Sequence, residues 1–173
     1  FKEVAKNTGL PIMLYNIPGR TGANMLPETI ARLAEIPNIV AIKEAAGSVE
    51  QVKQIRALTP PEFKIYSGDD GLTLDFMKEG ACGVVSVGSH IVGTEIADMI
   101  TKAVAGEHEK AQFIMNQLNP LFDALFMSPN PAPVKAALNM MGFNVGVPRL
   151  PLIEAPKELQ LKLKTLLADL NKL

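Results

Sequence analysis

Residues 39–47 read IVAIKEAAG. Four apolar residues, three of them β-branched, run directly into a lysine, an acid and a tail of small residues ending in glycine. A short and nearly continuous apolar run of this kind predicts a strand of a parallel sheet covered on both faces. The run has three companions along the chain, at Ile12–Asn16, Lys64–Ser67 and Gly83–Val87, and with it they predict four strands. "PIML", "IVAI" and "GVVSV" are near-continuous hydrophobics, whereas "FKIYSG" is mixed.

Helical patterns fill the gaps. Pro27 to Ile36 places Ile30, Leu33 and Ala34 at spacings of three and four, with proline near the start. Ser48 and Gln51 form a capping-box pair ahead of Val52, Ile55 and Leu58. A third helix begins at Asp70 or Gly71, turns Leu72, Phe76 and Met77 inward and stops at Gly80. The order is β-α-β-α-β-α-β, with units of roughly 20–28 residues that suit right-handed crossovers. Beyond Ser89 only helices are predicted. They are Thr94–Ala105 closed by Gly106, Glu107–Phe126 interrupted near Pro120, Pro133–Met141 ended by Gly142, and Pro156–Leu170. The first ten residues have the look of an amphipathic helix end.

Parallel strands joined by helices form either an open doubly wound sheet or part of a (β/α)8 barrel. No G-x-G-x-x-G loop supports a dinucleotide fold, and a barrel usually needs ~250 residues. The chain has 173. Both architectures stay open on this pattern, with room for only half of a barrel's strands and a helical tail; the resemblance described below is what implies an α/β class, the C-terminal half of a (β/α)8 TIM barrel over residues 1–105, followed by C-terminal helices over 106–173.

Composition narrows the function classes. Hydrophobic residues make up 47% and charged residues 20%, as in a globular protein. A net charge of −1 gives no reason to expect nucleic acid. One cysteine excludes an internal disulfide framework and fits a reducing, cytoplasmic setting. No apolar run approaches the ~18 residues that a membrane span requires.

In parallel α/β folds the chemistry sits at the carboxyl ends of the strands. Lys43 ends the second strand. A lysine desolvated there has a lowered pKa and becomes a nucleophile suited to Schiff-base chemistry; the other reading is a strand-end lysine paired with Glu44 or another carboxylate. Tyr15 ends the first strand, either as a proton carrier beside that amine or as a core tyrosine. Arg20 follows Pro18-Gly19 on a stiff loop, either to grip a substrate carboxylate in two-pronged fashion or as a plain surface arginine. Asp69 and Asp70 read as a helix cap rather than a metal site, His90 and His108 lack ligand spacing, and Cys82 reads as a small buried hydrophobe. No metal is expected.

Taken together, "YNIPGRTG", "AIKEAAG", "YSGDD", "GVVSVGS" and "NPAPVKAALNMMGFNVGVPRLPL" resemble the dihydrodipicolinate synthase family of class I aldolases over the whole chain. The resemblance implies a lyase that condenses pyruvate with aspartate semialdehyde in lysine (diaminopimelate) biosynthesis. It implies that Lys43 forms the imine with pyruvate, that Tyr15 relays protons and that Arg20 holds the carboxylate of the aldehyde substrate. Gly68 and Val85 would line the site through backbone groups. No added cofactor is implied, and the complete enzyme would be a homo-oligomer, a dimer or tetramer. Sugar-acid and sialic acid lyases of the same family, and a non-catalytic half-barrel module, are the alternatives; Arg20 and the "KEA" after the strand favour the synthase.

The family pattern also places four strands ahead of the equivalent of Ile12. They carry a threonine pair for the pyruvate carboxylate and a tyrosine donated across a dimer interface. This sequence holds none of these and opens on Phe1. The expectation is a C-terminal portion, inactive without its N-terminal half.

Overall fold

A computed structural model describes residues 1–173, which form two compact units, Phe1–Ser86 and Val87–Leu173. In the first unit β1 (Ile12–Asn16), β2 (Ile39–Glu44), β3 (Lys64–Ser67) and β4 (Gly83–Val84) make one parallel sheet in the order β1-β2-β3-β4. Strand order equal to chain order has no reversal point, which separates this sheet from a doubly wound one. The strands are joined by α2 (Pro18–Thr21) and α3 (Pro27–Ala34), then by α4 (Val49–Leu58), then by α5 (Thr73–Lys78); a short α1 (Lys2–Lys6) precedes them.

The crossover helices form because their apolar stripes have one sheet face to cover. Ile30 and Leu33 of α3, Val52 and Ile55 of α4 and Phe76 of α5 pack with Leu14, Ile42 and Ile65 of the strands in a single buried cluster. Each such side chain contributes about 1.5–3 kcal/mol by leaving water. Ser48 caps α4 as predicted, its hydroxyl accepting the Gln51 N–H at 3.1 Å. The Asp69 carboxylate accepts the N–H groups of Gly71 and Leu72, capping the turn into α5. Gly80 takes φ +94, the left-handed conformation that stops the chain behind α5.

Along β1, Leu14 and Asn16 are buried whereas Met13 and Tyr15 are exposed, and on the face of Met13 its register partner Ala41 is buried. Several expectations are corrected. β4 is two residues long rather than five, because past the Val85 N–H, which donates to Ser67 O, β3 has already ended. The stiff loop expected after Tyr15 is a single helical turn, α2, opened by Pro18 and closed by Gly22 at φ +71. Cys82 is exposed rather than buried.

The second unit is helical, with α6 (Ser89–Val104), α7 (His108–Phe126), α8 (Ala132–Met140) and α9 (Lys157–Asp169). Met99, Leu118, Leu121, Leu125, Leu163 and Leu167 are among its fully buried side chains. α6 starts five residues before the predicted Thr94, across a kink at Val92. Pro120 does not interrupt α7. Leu118, Leu121 and Phe122 are buried on either side of it, so packing holds the helix across the missing N–H. No helix is long and apolar enough to cross a membrane.

Candidate active site

Lys43 and Tyr15 meet because β1 and β2 pair in a fixed register, Tyr15 opposite Lys43 and Asn16 opposite Glu44. Alternation along a strand then sends the first pair to the open face and the second to the helix-covered face. Lys43 Nζ lies 4.2 Å from the centroid of the Tyr15 ring, whose negative π face attracts a cation. Lys43 takes part in none of the ion pairs of the chain, so the reading that pairs it with Glu44 is set aside. Lys43 is half-buried and Tyr15 is 46% exposed.

Gly68 borders the lysine directly. A Cβ at this position would stand 3.2 Å from Lys43 Cε, 3.1 Å from Glu44 O and 2.6 Å from Ala45 Cβ. The Gly68 N–H donates to Glu44 O at 2.7 Å, and the Val85 N–H to Ser67 O at 2.8 Å. Both amides are thus spent within the sheet, and a backbone contact from either to a ligand would come through its carbonyl. Arg20 is exposed on α2 and joins no ion pair in the chain.

Two features escaped the sequence reading. Tyr66 on β3 pairs in register with Lys43 and so puts a second phenol on the lysine's face. Hydrogen bonding to Cys82, and the charge of that group, raise the Tyr66 pKa above its ordinary value. On the other face the buried Glu44 and Asn16 join the half-buried Gln51 and the exposed Asn24 in a polar cluster. Burial raises the Glu44 pKa, against the lowering effect of hydrogen bonds from Asn16, Ala46 N–H, Gln51 and Ala45 N–H. The dipeptides Tyr15-Asn16 and Lys43-Glu44 held the signal. A period of two that turns Tyr15 and Lys43 to one face must turn two polar residues to the other.

The model of the dihydrodipicolinate synthetase family matches residues 1–170. The chain belongs to this family. Among its dihydrodipicolinate synthetase relatives, the 4-hydroxy-tetrahydrodipicolinate synthase of Cyanothece sp. is 60% identical over 161 residues, which are 93% of this chain and 55% of that protein. The synthase of Acaryochloris marina is 57% identical over 171 residues, 98% of this chain and 58% of that one. Among solved structures, the synthase of Cyanidioschyzon merolae with lysine bound superimposes with a TM-score of 0.98 at 48% identity, covering 100% of this chain and 59% of its own. The Thermotoga maritima enzyme gives 0.97 at 39% identity. The four parallel strands and their helices are therefore part of a (β/α)8 barrel of the dihydrodipicolinate synthetase type, and the chain spans less than three fifths of the length of the curated relatives named here.

Proposed function

We propose that this chain carries the imine-forming part of a 4-hydroxy-tetrahydrodipicolinate synthase, a lyase that joins pyruvate to aspartate semialdehyde. The observation that carries the reading is Lys43, an amine without a carboxylate partner, held at a strand end over the Tyr15 ring. In its neutral form the Lys43 amine attacks the ketone carbon of pyruvate, and water leaves as the imine forms. The protonated imine keeps a positive charge where the π face of Tyr15 stabilises it. Loss of a proton from the pyruvate methyl group gives an enamine, whose carbon attacks the aldehyde carbon of the second substrate. The amine of that substrate then adds to the imine carbon and Lys43 departs with its electron pair. The Tyr15 hydroxyl carries protons in these steps, and Arg20 grips the carboxylate of the aldehyde substrate.

In this reading Gly68 and Val85 border the bound pyruvate, and the lysine itself supplies the chemistry, without an added cofactor. Residues 1–105 act as barrel and 106–173 as a helical region. The protein works in the cytoplasm as a dimer or tetramer. Activity also needs what the uncovered length of the relatives supplies, so residues 1–173 alone should give no turnover in a coupled assay.

The test is reduction with borohydride in the presence of pyruvate, on the natural protein that carries this chain. Mass spectrometry should find the adduct on Lys43, and Lys43→Arg should abolish it, since a guanidinium stays protonated. An adduct on another lysine, or none, would overturn the assignment.

A further inference from the structure

We infer that Glu44 is a positioning residue, whose buried carboxylate fixes Lys43 against Tyr15. The inference rests on the imine-forming role proposed for Lys43. Glu44 is 0% exposed and its register partner Asn16 is 1% exposed. The Asn16 amide donates to both Glu44 carboxylate oxygens at 3.0 Å. The Ala46 N–H donates to Oε1 at 2.7 Å, and Gln51 Nε2, in the first turn of α4, donates to Oε2 at 3.2 Å. Asn16 also donates to Asn24 Oδ1 at 2.7 Å and accepts the Met25 N–H at 3.0 Å, while Asn24 Nδ2 donates to Gln51 Oε1 at 2.8 Å. One carboxylate thus ties together the ends of β1 and β2, the start of α4 and the segment that follows the Arg20 turn.

A fold in need of stability alone has little use for such a group. Every donor on the carboxylate is neutral and no cation faces it, so its charge is held in the interior at a cost. An ionised carboxylate has one property that an amide or an apolar side chain lacks: it only accepts. It therefore dictates which way the Asn16 and Gln51 amides face, and through them one arrangement of the loop. A polar cluster satisfied in this directional way rigidifies what it touches. What it touches is the backbone that aims Lys43 and Tyr15 from the opposite face.

Glu44→Gln tests the idea in the natural protein, with the rate of borohydride trapping at saturating pyruvate as the readout and the thermal midpoint measured alongside. An ångström of misplacement costs about 100-fold in favourable cases, and a fall of about tenfold or more in trapping is expected well below the melting range. The double variant Asn16→Asp with Glu44→Gln exchanges acceptor for donor across the pair and should restore most of the rate. Trapping at the parental rate in Glu44→Gln, or no recovery in a folded double variant, would overturn the inference. If Glu44→Gln does not fold, Asn24→Ala at the exposed end of the cluster decides: a threefold or larger loss of trapping supports the inference and an unchanged rate refutes it. A parent protein that gives no adduct on Lys43 would remove the functional reading, and this inference with it.

Discussion

Gly68→Ala adds one methyl group where β3 turns away beside the catalytic lysine proposed here. Gly68 is not among the glycines with positive φ, so its backbone suits alanine and the effect is purely one of space. The new Cβ would stand 2.6 Å from Ala45 Cβ, against the 3.5–4.0 Å that carbon atoms prefer. Ala45 has no flexible end to swing aside, so the ends of β2 and β3 must part by about 1 Å. The 2.7 Å bond from Gly68 N–H to Glu44 O lies across that gap and must lengthen. Overpacking of this size costs about 1–3 kcal/mol, which for a protein in this size range lowers the midpoint by about 2–12 °C. Lys43 Cε, 3.2 Å from the same methyl position, has to move as well, so trapping with pyruvate should fall by more than the loss of folded protein explains. Thermal unfolding and borohydride trapping measure the two effects. Ala45→Gly in the same background removes the 2.6 Å contact and should return most of the lost stability, with trapping still reduced by the contact that remains with Lys43. A Gly68→Ala protein with parental midpoint and parental trapping would refute the reasoning.

Arg20→Ala should impair use of aspartate semialdehyde by about 10- to 150-fold, the equivalent of a charge-assisted hydrogen bond of about 1.5–3 kcal/mol, while pyruvate trapping survives; steady-state kinetics with each substrate varied would measure it. Glu44 gives a pH signature. Burial raises its folded pKa above the ordinary 4.5, so between 4.5 and that raised value the native state binds more protons than the unfolded state. Its contribution then favours folding below 4.5 and is lost as pH rises through the folded value. Stability curves of the parent and of Glu44→Gln, taken by denaturant unfolding from pH 4 to 8, should show the parent losing ground to the variant as pH rises; a constant difference would contradict this.

Much of the fold was legible because local signals agreed. β1 and β3 begin and end where their apolar runs do, and Ser48, Gly80, Gly106 and Gly142 stand at helix boundaries. The end of β4 was not legible, because a run such as GVVSV does not tell how far the neighbouring strand reaches. The exposure of Cys82 is not legible either, since its small neighbours Ala81 and Gly83 say nothing about which side of a strand entrance the thiol takes. In the candidate site, Lys43, Tyr15 and Arg20 could be picked out as polar groups at strand ends or on a proline-glycine turn. The cluster around Glu44 could not, since it joins Asn16, 28 residues away, to a helix turn and a loop. Gln51 illustrates the point: its N–H serves the Ser48 cap as the local motif predicts, but its side chain is given to the tertiary cluster.

The sequential strand order has a kinetic consequence. Each strand pairs with its predecessor in the chain, and the longest of these steps, from Asn16 to Glu44, spans 28 residues. None of these three ladders waits for a segment synthesised much later, so loop-closure entropy stays small at each of them. At about 5–20 residues per second, the ribosome releases β2 within seconds of β1. Tyr15 and Lys43 can then be zipped into alignment before β3 and β4 have emerged.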